Sequence, residues 1–208
     1  MKKEYWENNI MLFCHIELTD TGFAPNPFWK YCTLAGCKPA IRKKANIGDW
    51  IIGLSSSREE NKIIYCMKVN EIMSFEDYYN DKRFKNKIPV MNSRKGIHRR
   101  GDNIYPKVNE RYIQLPSRHS NKNRTTNFRH KNRDLGGRNV LISKDFYYFG
   151  INMIFNPFKF LKVGRGYTSK FNESQIKEVL SYIKKFKKGI SGHPGYKWKE
   201  EDESWRIG

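Results

Sequence analysis

Short apolar segments separated by turn residues make up most of this chain, and only one segment has a clear helical period. The apolar segments are rich in β-branched and aromatic residues, which is typical of strands. The exception is residues 173–187, where apolar side chains at helical spacing follow Asn172, a good N-cap, with Gln175 three residues later. Because strands and helices do not alternate as in a parallel sheet, the pattern predicts a mixed α+β fold.

The expected elements can be placed along the chain. Strands are predicted at residues 10–18, 47–54, 63–73 and 139–150, and another is expected to end at the Gly-Arg-Gly turn of 164–166. Short helices are predicted at 28–37, between two prolines, and after Ser74, which has Asp77 at the capping-box distance. We expect the strands to close into a small, mainly antiparallel barrel with the C-terminal helix packed on it by its apolar stripe.

Positive charge is concentrated in one part of the chain. Residues 82–133 hold sixteen lysines and arginines but two acidic residues, so they carry +14 of the total net charge of +19. Folding does not require such a charge, and a polyanionic partner is the natural inference. The segment has little periodicity and is predicted to be mostly loop with one hairpin. We therefore expect one domain over residues 1–190 with a basic insertion at 82–138, followed by a polar tail at 191–208.

The remaining composition limits the chemistry. The four cysteines (Cys14, Cys32, Cys37 and Cys66) lack the close spacing of a metal quartet and are expected to be buried free thiols. No metal site, no cofactor and no catalytic set is predicted, because nucleotide-binding glycine motifs, nucleophile elbows and paired carboxylates are all missing from the sequence. No secretory or membrane-spanning segment is predicted, so a cytoplasmic location is expected. The oligomeric state is left open.

Two resemblances add to these expectations. The segment "GDWIIG…IIYCMKVNEI" resembles the strand, turn and returning strand of PUA-like barrels, which include EVE domains. The segments "GFAPNPFWKYCTLAGCKPAIR…GDWIIG", "RRGDNIY", "VLISKDFYYFG" and "GRG", taken together, resemble the type 2 family of nucleotide-modification-associated domains. That family is tied to predicted DNA base hypermodification in phages and bacteria. The resemblance implies a PUA- or EVE-like β-barrel and a role in DNA modification or phage defence.

The aromatic, proline-rich stretch at 21–53 is predicted to form the wall of a pocket for a nucleobase. Its rings offer stacking faces, its amide and hydroxyl groups could contact a base edge, and its prolines hold an irregular backbone course. For each single ring the alternative is ordinary core packing, and for Asp102 the alternative is a solvated Asx-turn. The candidate pocket residues are Asn26, Phe28, Trp29, Tyr31, Thr33, Lys38, Trp50, Asp102, Asn103, Tyr105, His119 and Tyr148.

Basic side chains near this stretch and in the insertion are predicted to contact phosphates. The candidates are Arg42, Lys43, Arg94, Lys95, Arg99, Arg100, Arg118, Lys122, Arg124, Arg129 and Arg165. The expected partner is a nucleic acid or nucleotide, with DNA favoured over RNA.

Three functions remain open on the sequence. The first is a module that recognises a modified or flipped base, the second is an enzyme or enzyme component that makes or processes a hypermodified base, and the third is a protein-interaction partner in a phage or defence system. The missing catalytic motifs favour the first. A base-sized cavity beside Trp29 and Trp50 would support a base-recognition module, whereas clustered Asp, His and Cys side chains would support an enzyme.

Overall fold

The computed structural model describes residues 10–195. The strands are β1 (Leu12–Ile16), β2 (Cys32–Leu34), β3 (Trp50–Leu54), β4 (Ile63–Lys68), β5 (Glu71–Ser74), β6 (Lys107–Val108), β7 (Arg111–Tyr112), β8 (Asn139–Ser143), β9 (Phe146–Tyr148), β10 (Tyr167–Thr168) and β11 (Gly189–Ile190). The α-helices are α1 (Pro39–Lys44), α2 (Phe75–Asn80), α3 (Gly96–Arg99), α4 (Phe128–Leu135) and α5 (Glu173–Ile183). Residues 1–9 and 196–208, which include most of the predicted tail, lie outside the described residues.

The largest sheet has six strands in the order β10-β1-β3-β4-β9-β11. Its central pairs β3–β4 and β4–β9 are antiparallel, as is the edge pair β1–β10. Strands β1 and β3 run parallel, with Leu12 opposite Trp50 and Ile16 opposite Leu54. The other edge pair, β9–β11, is also parallel.

A second, antiparallel sheet has the order β2-β8-β5, and β6 and β7 form a separate hairpin. The predicted mixed α+β class with mainly antiparallel strands is therefore confirmed. The predicted barrel is not found, because the described strands form three sheets and the largest ends on two-residue strands that each pair with one neighbour. Alternation and turn residues predict strands one at a time, whereas closure depends on which distant strands pair.

Helix α5 covers one face of the main sheet. Its apolar stripe of Ile176, Val179, Leu180 and Ile183 is buried with β1, β3 and β4 side chains. Asn172 and Gln175 form the predicted capping box. The helix ends at Ile183, earlier than predicted. No α-helix among residues 10–195 combines the length and the apolar character needed to cross a membrane.

The segment 28–37 is not the predicted helix. It contains β2, whose Cys32 and Thr33 pair with Ser143 and Ile142 of β8. Trp29 and Cys37 adopt left-handed backbone angles, with φ of 57° and 55°. Left-handed residues cannot continue a right-handed helix, so turns replace it on both sides of β2.

The basic insertion is folded and packs on the second sheet. Phe84, Ile104 and Tyr105 from the insertion share a core cluster with Val140 and Ile142 of β8. The predicted hairpin is present as β6–β7. Helix α4 was not predicted, since its sequence is highly polar. It begins after Asn127, whose side chain accepts a hydrogen bond from the His130 N–H.

A buried polar network joins the basic insertion to the 21–53 stretch. Lys87 is fully buried, and its Nζ donates to Asn26 Oδ1 at 2.5 Å and to the carbonyls of Asn26 and Tyr31 at 3.0 Å each. Burial lowers the pKa of Lys87 to about 8. Asp102 accepts from Thr33 Oγ1 and from the Tyr78 hydroxyl, both at 2.7 Å. Because each buried polar group here has partners, the network fixes the insertion against β2.

Candidate active site

Three chemically reactive side chains from distant parts of the sequence meet where α1 and α4 approach. Cys37 precedes α1, His119 lies in a turn of the basic insertion, and Asp134 lies on α4. His119 Nε2 is 3.5 Å from Cys37 Sγ, and His119 Nδ1 is 2.5 Å from Asp134 Oδ2. Among the described residues, these three form the one group of histidine, cysteine and acidic side chains close enough to share a metal ion. We call them the Cys37 site.

The backbone holds Cys37 in a defined position. Its N–H donates to Asp134 Oδ1 at 2.8 Å, and its carbonyl accepts from Arg42 Nε at 2.8 Å. Both Cys37 and Lys38 have left-handed backbone angles, an arrangement that persists only where the surroundings enforce it. The side chain is half-buried, whereas the other three cysteines are buried.

Gly36 leaves room for the imidazole. A Cβ at this position would lie 2.7 Å from Phe23 Cε1 and 3.3 Å from His119 Cε1, so a side chain would collide with the ring that packs on His119. The Phe23 and His119 ring centroids are 4.4 Å apart. The Gly36–Cys37 pair thus allows close packing at one residue and presents a thiol at the next.

His119 is buried and held on both sides. Gln114 Nε2 donates to its backbone carbonyl at 3.3 Å, and its ring and that of His130 are nearly perpendicular with centroids 4.5 Å apart. Burial by itself would lower the pKa of His119, but hydrogen bonds to Asp134 and Cys37 outweigh burial and raise the pKa to about 9. At neutral pH the imidazole is therefore protonated.

Asp134 is completely buried on the inner face of α4. Besides His119 and the Cys37 N–H, its carboxylate accepts from the Tyr105 hydroxyl at 2.8 Å. Burial would raise the pKa of Asp134, but the hydrogen bond and charge of His119 outweigh it, so the pKa lies below its usual range. Asp134 is thus a carboxylate that fixes the orientation of the imidazole.

Arg133 lies at the rim of the site. Its Nη2 donates to Cys37 Sγ at 3.6 Å, and its Nε is 3.6 Å from Asp134 Oδ1. The side chain is 42% exposed, so part of it faces solvent while its guanidinium reaches the thiol. A cation there stabilises negative charge on sulfur or on a substrate oxygen.

The way in which the three side chains contact one another distinguishes a metal centre from an activated cysteine nucleophile. In a metal centre the ligand atoms converge on one point, and a histidine ligand offers one nitrogen to the metal. Here the imidazole lies between the thiol and the carboxylate, with one nitrogen toward each. Cysteine nucleophiles are activated in this way: a histidine contacts the sulfur and a third group orients the histidine.

The predicted pocket residues do not all surround this site. His119 belongs to it, and Tyr105 supports Asp134. Asn26, Thr33 and Asp102 belong to the buried network around Lys87. Asn103 is buried beside them and donates to the carbonyls of Tyr78 and Phe84.

The remaining pocket candidates are spread through the fold. Trp50 and Phe28 are buried, and Trp50 packs in the core under α5. Tyr148 is buried and donates to Asp20 Oδ1 at 2.6 Å, and Lys38 Nζ donates to the Ile16 carbonyl at 2.8 Å. Trp29 and Tyr31 are half-buried.

Some of the residues predicted to contact phosphates are buried and others are exposed. Arg42 is fully buried, and its guanidinium donates to the carbonyls of Cys37, Asp134 and Asn139. Arg100 is also buried and donates to the Thr21 carbonyl. Arg99 is half-buried, and its Nη1 donates to two nearby carbonyls. The exposed members of the set are Lys43, Arg94, Lys95, Arg118, Lys122, Arg124, Arg129 and Arg165.

The sequence did not indicate the Cys37 site. The sequence predicts a buried free thiol at every cysteine, which holds for Cys14, Cys32 and Cys66 but not for the half-buried Cys37. Asp134 is not among the candidate residues, and His119 is predicted only as part of the nucleobase pocket. One signal was present: Cys37 stands two residues before Pro39, the first residue of α1, and cysteines at helix starts are often reactive.

Comparison with known proteins identifies the family of this chain. No curated protein and no solved structure matches the chain. A family model described as nucleotide modification associated domain 2 matches residues 9–202, which is nearly the whole chain. The chain therefore belongs to the nucleotide modification associated domain 2 family, and it takes part in nucleotide modification.

Proposed function

We propose that this protein is an enzyme of nucleotide modification that forms a covalent intermediate on Cys37. The observation that carries the proposal is the imidazole of His119 between the Cys37 thiol and the Asp134 carboxylate. Of the functions that the sequence left open, this geometry favours the enzyme. We further propose that the chain acts on DNA as one cytoplasmic domain, in a DNA modification or phage-defence system.

The residues have distinct roles in the proposed reaction. The Cys37 thiolate attacks an electrophilic carbon of the substrate, forming a carbon–sulfur bond while the leaving group departs with its electron pair. His119 donates its Nε2 proton to that group, which its raised pKa allows at neutral pH. A second nucleophile, either water or an acceptor group, then attacks the carbon, returns a proton to His119 and releases the thiolate.

The surrounding groups support these steps. Asp134 keeps Nδ1 of His119 protonated and the ring directed at sulfur, and Tyr105 keeps the carboxylate in place. Arg133 is the group placed to stabilise negative charge that develops near Cys37.

Recognition of a modified or flipped base is the second candidate, and Trp29 favours it. Its ring is half-buried, it meets the His98 ring edge-on at 6.0 Å, and Lys87 Nζ lies 5.7 Å from its centroid. A base could stack on its exposed part without any chemistry at Cys37.

Alkylation with iodoacetamide, read by intact mass and peptide mapping, tests the enzyme proposal. We expect one rapid adduct on the native protein, at Cys37, because the other three cysteines are buried. Cys14, Cys32 and Cys66 thus serve as internal controls. Cys37→Ser should abolish the adduct, and His119→Gln should slow its formation.

Two results would overturn the proposal. One is a Cys37 that reacts no faster than a small free thiol and is indifferent to His119→Gln. The other is stoichiometric metal in protein purified without chelator, lost in Cys37→Ser, which would identify the three side chains as a metal centre.

A further inference from the structure

Helix α4 has two chemically different faces. His130 and Asp134 point inward toward the Cys37 site, and Asp134 is fully buried. At 100° per residue, Phe128, Asn132 and Arg129 lie together on the opposite, exposed face, and the exposed Arg133 lies between that face and the inward one. The helix that orients the imidazole therefore also presents a surface next to the thiol.

The exposed surface of α4 combines an aromatic ring with two arginines. Phe128 is 69% exposed, an unusual position for a large apolar side chain on so polar a helix. A single exposed ring needs no explanation by itself. This ring, however, is followed by Arg129, and Arg133 stands one turn further on, about 6 Å along the axis, and reaches Cys37 Sγ.

We propose that a single-stranded nucleic-acid segment binds along this face, with a base stacked on Phe128 and phosphates against Arg129 and Arg133. The proposal rests on the proposed function, because it brings the strand to Cys37. An aromatic face exposed beside cations is the arrangement that binds unpaired strands, since every base has a flat face and every nucleotide a phosphate. The bases of a duplex are stacked on one another and cannot use Phe128 in this way.

A cleft is lined in part by residues that come just before His119 in the sequence. Its volume is about 260 Å³, just below the range of about 300–1,000 Å³ for drug-sized ligands. Val90, Leu115 and Pro116 form apolar walls, and Arg124 at its edge donates to Asn92 at 2.8 Å. Pro116 is three residues before His119, so their Cα atoms are at most about 11 Å apart.

Fluorescence anisotropy with a labelled oligo-dT strand tests the proposal, using Phe128→Ala, Phe128→Trp and Phe155→Ala. Phe155 is the matched control, because its ring is 66% exposed and it is not part of α4; its carbonyl accepts from Tyr182 of α5. Phe128→Ala should weaken binding by about 5- to 150-fold, the effect of one lost stack of about 1–3 kcal/mol. Phe128→Trp should retain binding, and Phe155→Ala should leave it unchanged.

Arg129→Ala gives an independent readout. Removing one phosphate contact to a single strand should reduce the slope of log affinity against log salt by about 0.7. A hairpin duplex of the same length should bind more weakly than oligo-dT and should not respond to Phe128→Ala.

The outcomes separate this proposal from the enzyme proposal. If wild-type protein fails to bind oligo-dT, or if Phe128→Ala binds it as Phe155→Ala does, the α4 surface is refuted, while normal Cys37 alkylation leaves the enzyme proposal standing. If binding depends on Phe128 but Cys37 proves unreactive, the enzyme proposal fails and α4 remains a binding surface. Thermal melts of all three variants should match wild type, because neither ring is buried.

Discussion

Replacing His119 with Gln should remove a pH-dependent part of the protein's stability. His119 has a pKa of about 9 in the folded protein, against an ordinary value of 6.5. Folding therefore stabilises the protonated ring, mainly through Asp134. This contribution is complete below pH 6.5 and is lost as the pH rises through 9.

The expected magnitude follows from the two pKa values. A difference of about 2.5 at about 1.4 kcal/mol per pKa unit gives about 3 kcal/mol. Solvent screening removes little of this, because the His119 side chain is 8% exposed and Asp134 is fully buried. His119→Gln should thus be destabilised by about 3 kcal/mol below pH 6.5 and much less above pH 9.

Urea unfolding of wild type and variant, measured below pH 6.5, near neutrality and above pH 9, gives the needed comparison. Other groups titrate in this range, including Glu17 and Lys87, whose pKa values burial moves to about 7 and about 8. The difference between the two curves isolates His119 from them. A difference that stays constant with pH would refute the charged pairing.

His130→Gln is the matched control. Its ring touches His119, but burial and the neighbouring His119 charge lower the pKa of His130. The His130→Gln variant should therefore lose stability above neutral pH to the same extent as the wild type.

Three further predictions concern other parts of the fold. If the Trp29 ring stacks on a base, Trp29→Ala should melt like wild type and bind oligo-dT about 5- to 150-fold more weakly. If the variant instead loses about 3–5 kcal/mol of stability, Trp29 is a core residue. Gly137→Ala should destabilise the protein by about 1–3 kcal/mol in a thermal or urea melt, because the new Cβ would lie 2.3 Å from Cζ of the buried Arg42; an unchanged melt would contradict this. Neutralising the exposed basic residues of the insertion should weaken nucleic-acid binding. On duplex DNA, the slope of log affinity against log salt should fall by about 0.9 for each phosphate contact that is lost. Unaltered binding would mean that these residues serve solubility. The residues to change together are Arg94, Lys95, Arg124 and Arg129.

Local sequence determined the regular elements that rest on short-range chemistry. The capping box at Asn172 and the apolar stripe of α5 are read directly from residue spacing, since a helix repeats every 3.6 residues. The Ser74 N-cap and the strand β3 follow from the same kind of pattern. The single strand predicted at 139–150 is instead divided into β8 and β9, which belong to different sheets. The family also follows from the sequence, because the order of its segments along the chain is enough to recognise it.

Tertiary structure decided the sheet pairing and the Cys37 site. Strands β1 and β3 pair in parallel, although separated by a long connection, and no local pattern encodes such a pairing. Cys37 and Asp134 are 97 residues apart, yet the thiol, the imidazole and the carboxylate come into contact because Lys87 and Arg42 hold the basic insertion against the 21–53 stretch. Each residue is ordinary in its own segment, and only the packing of distant segments places an imidazole between a thiol and a carboxylate.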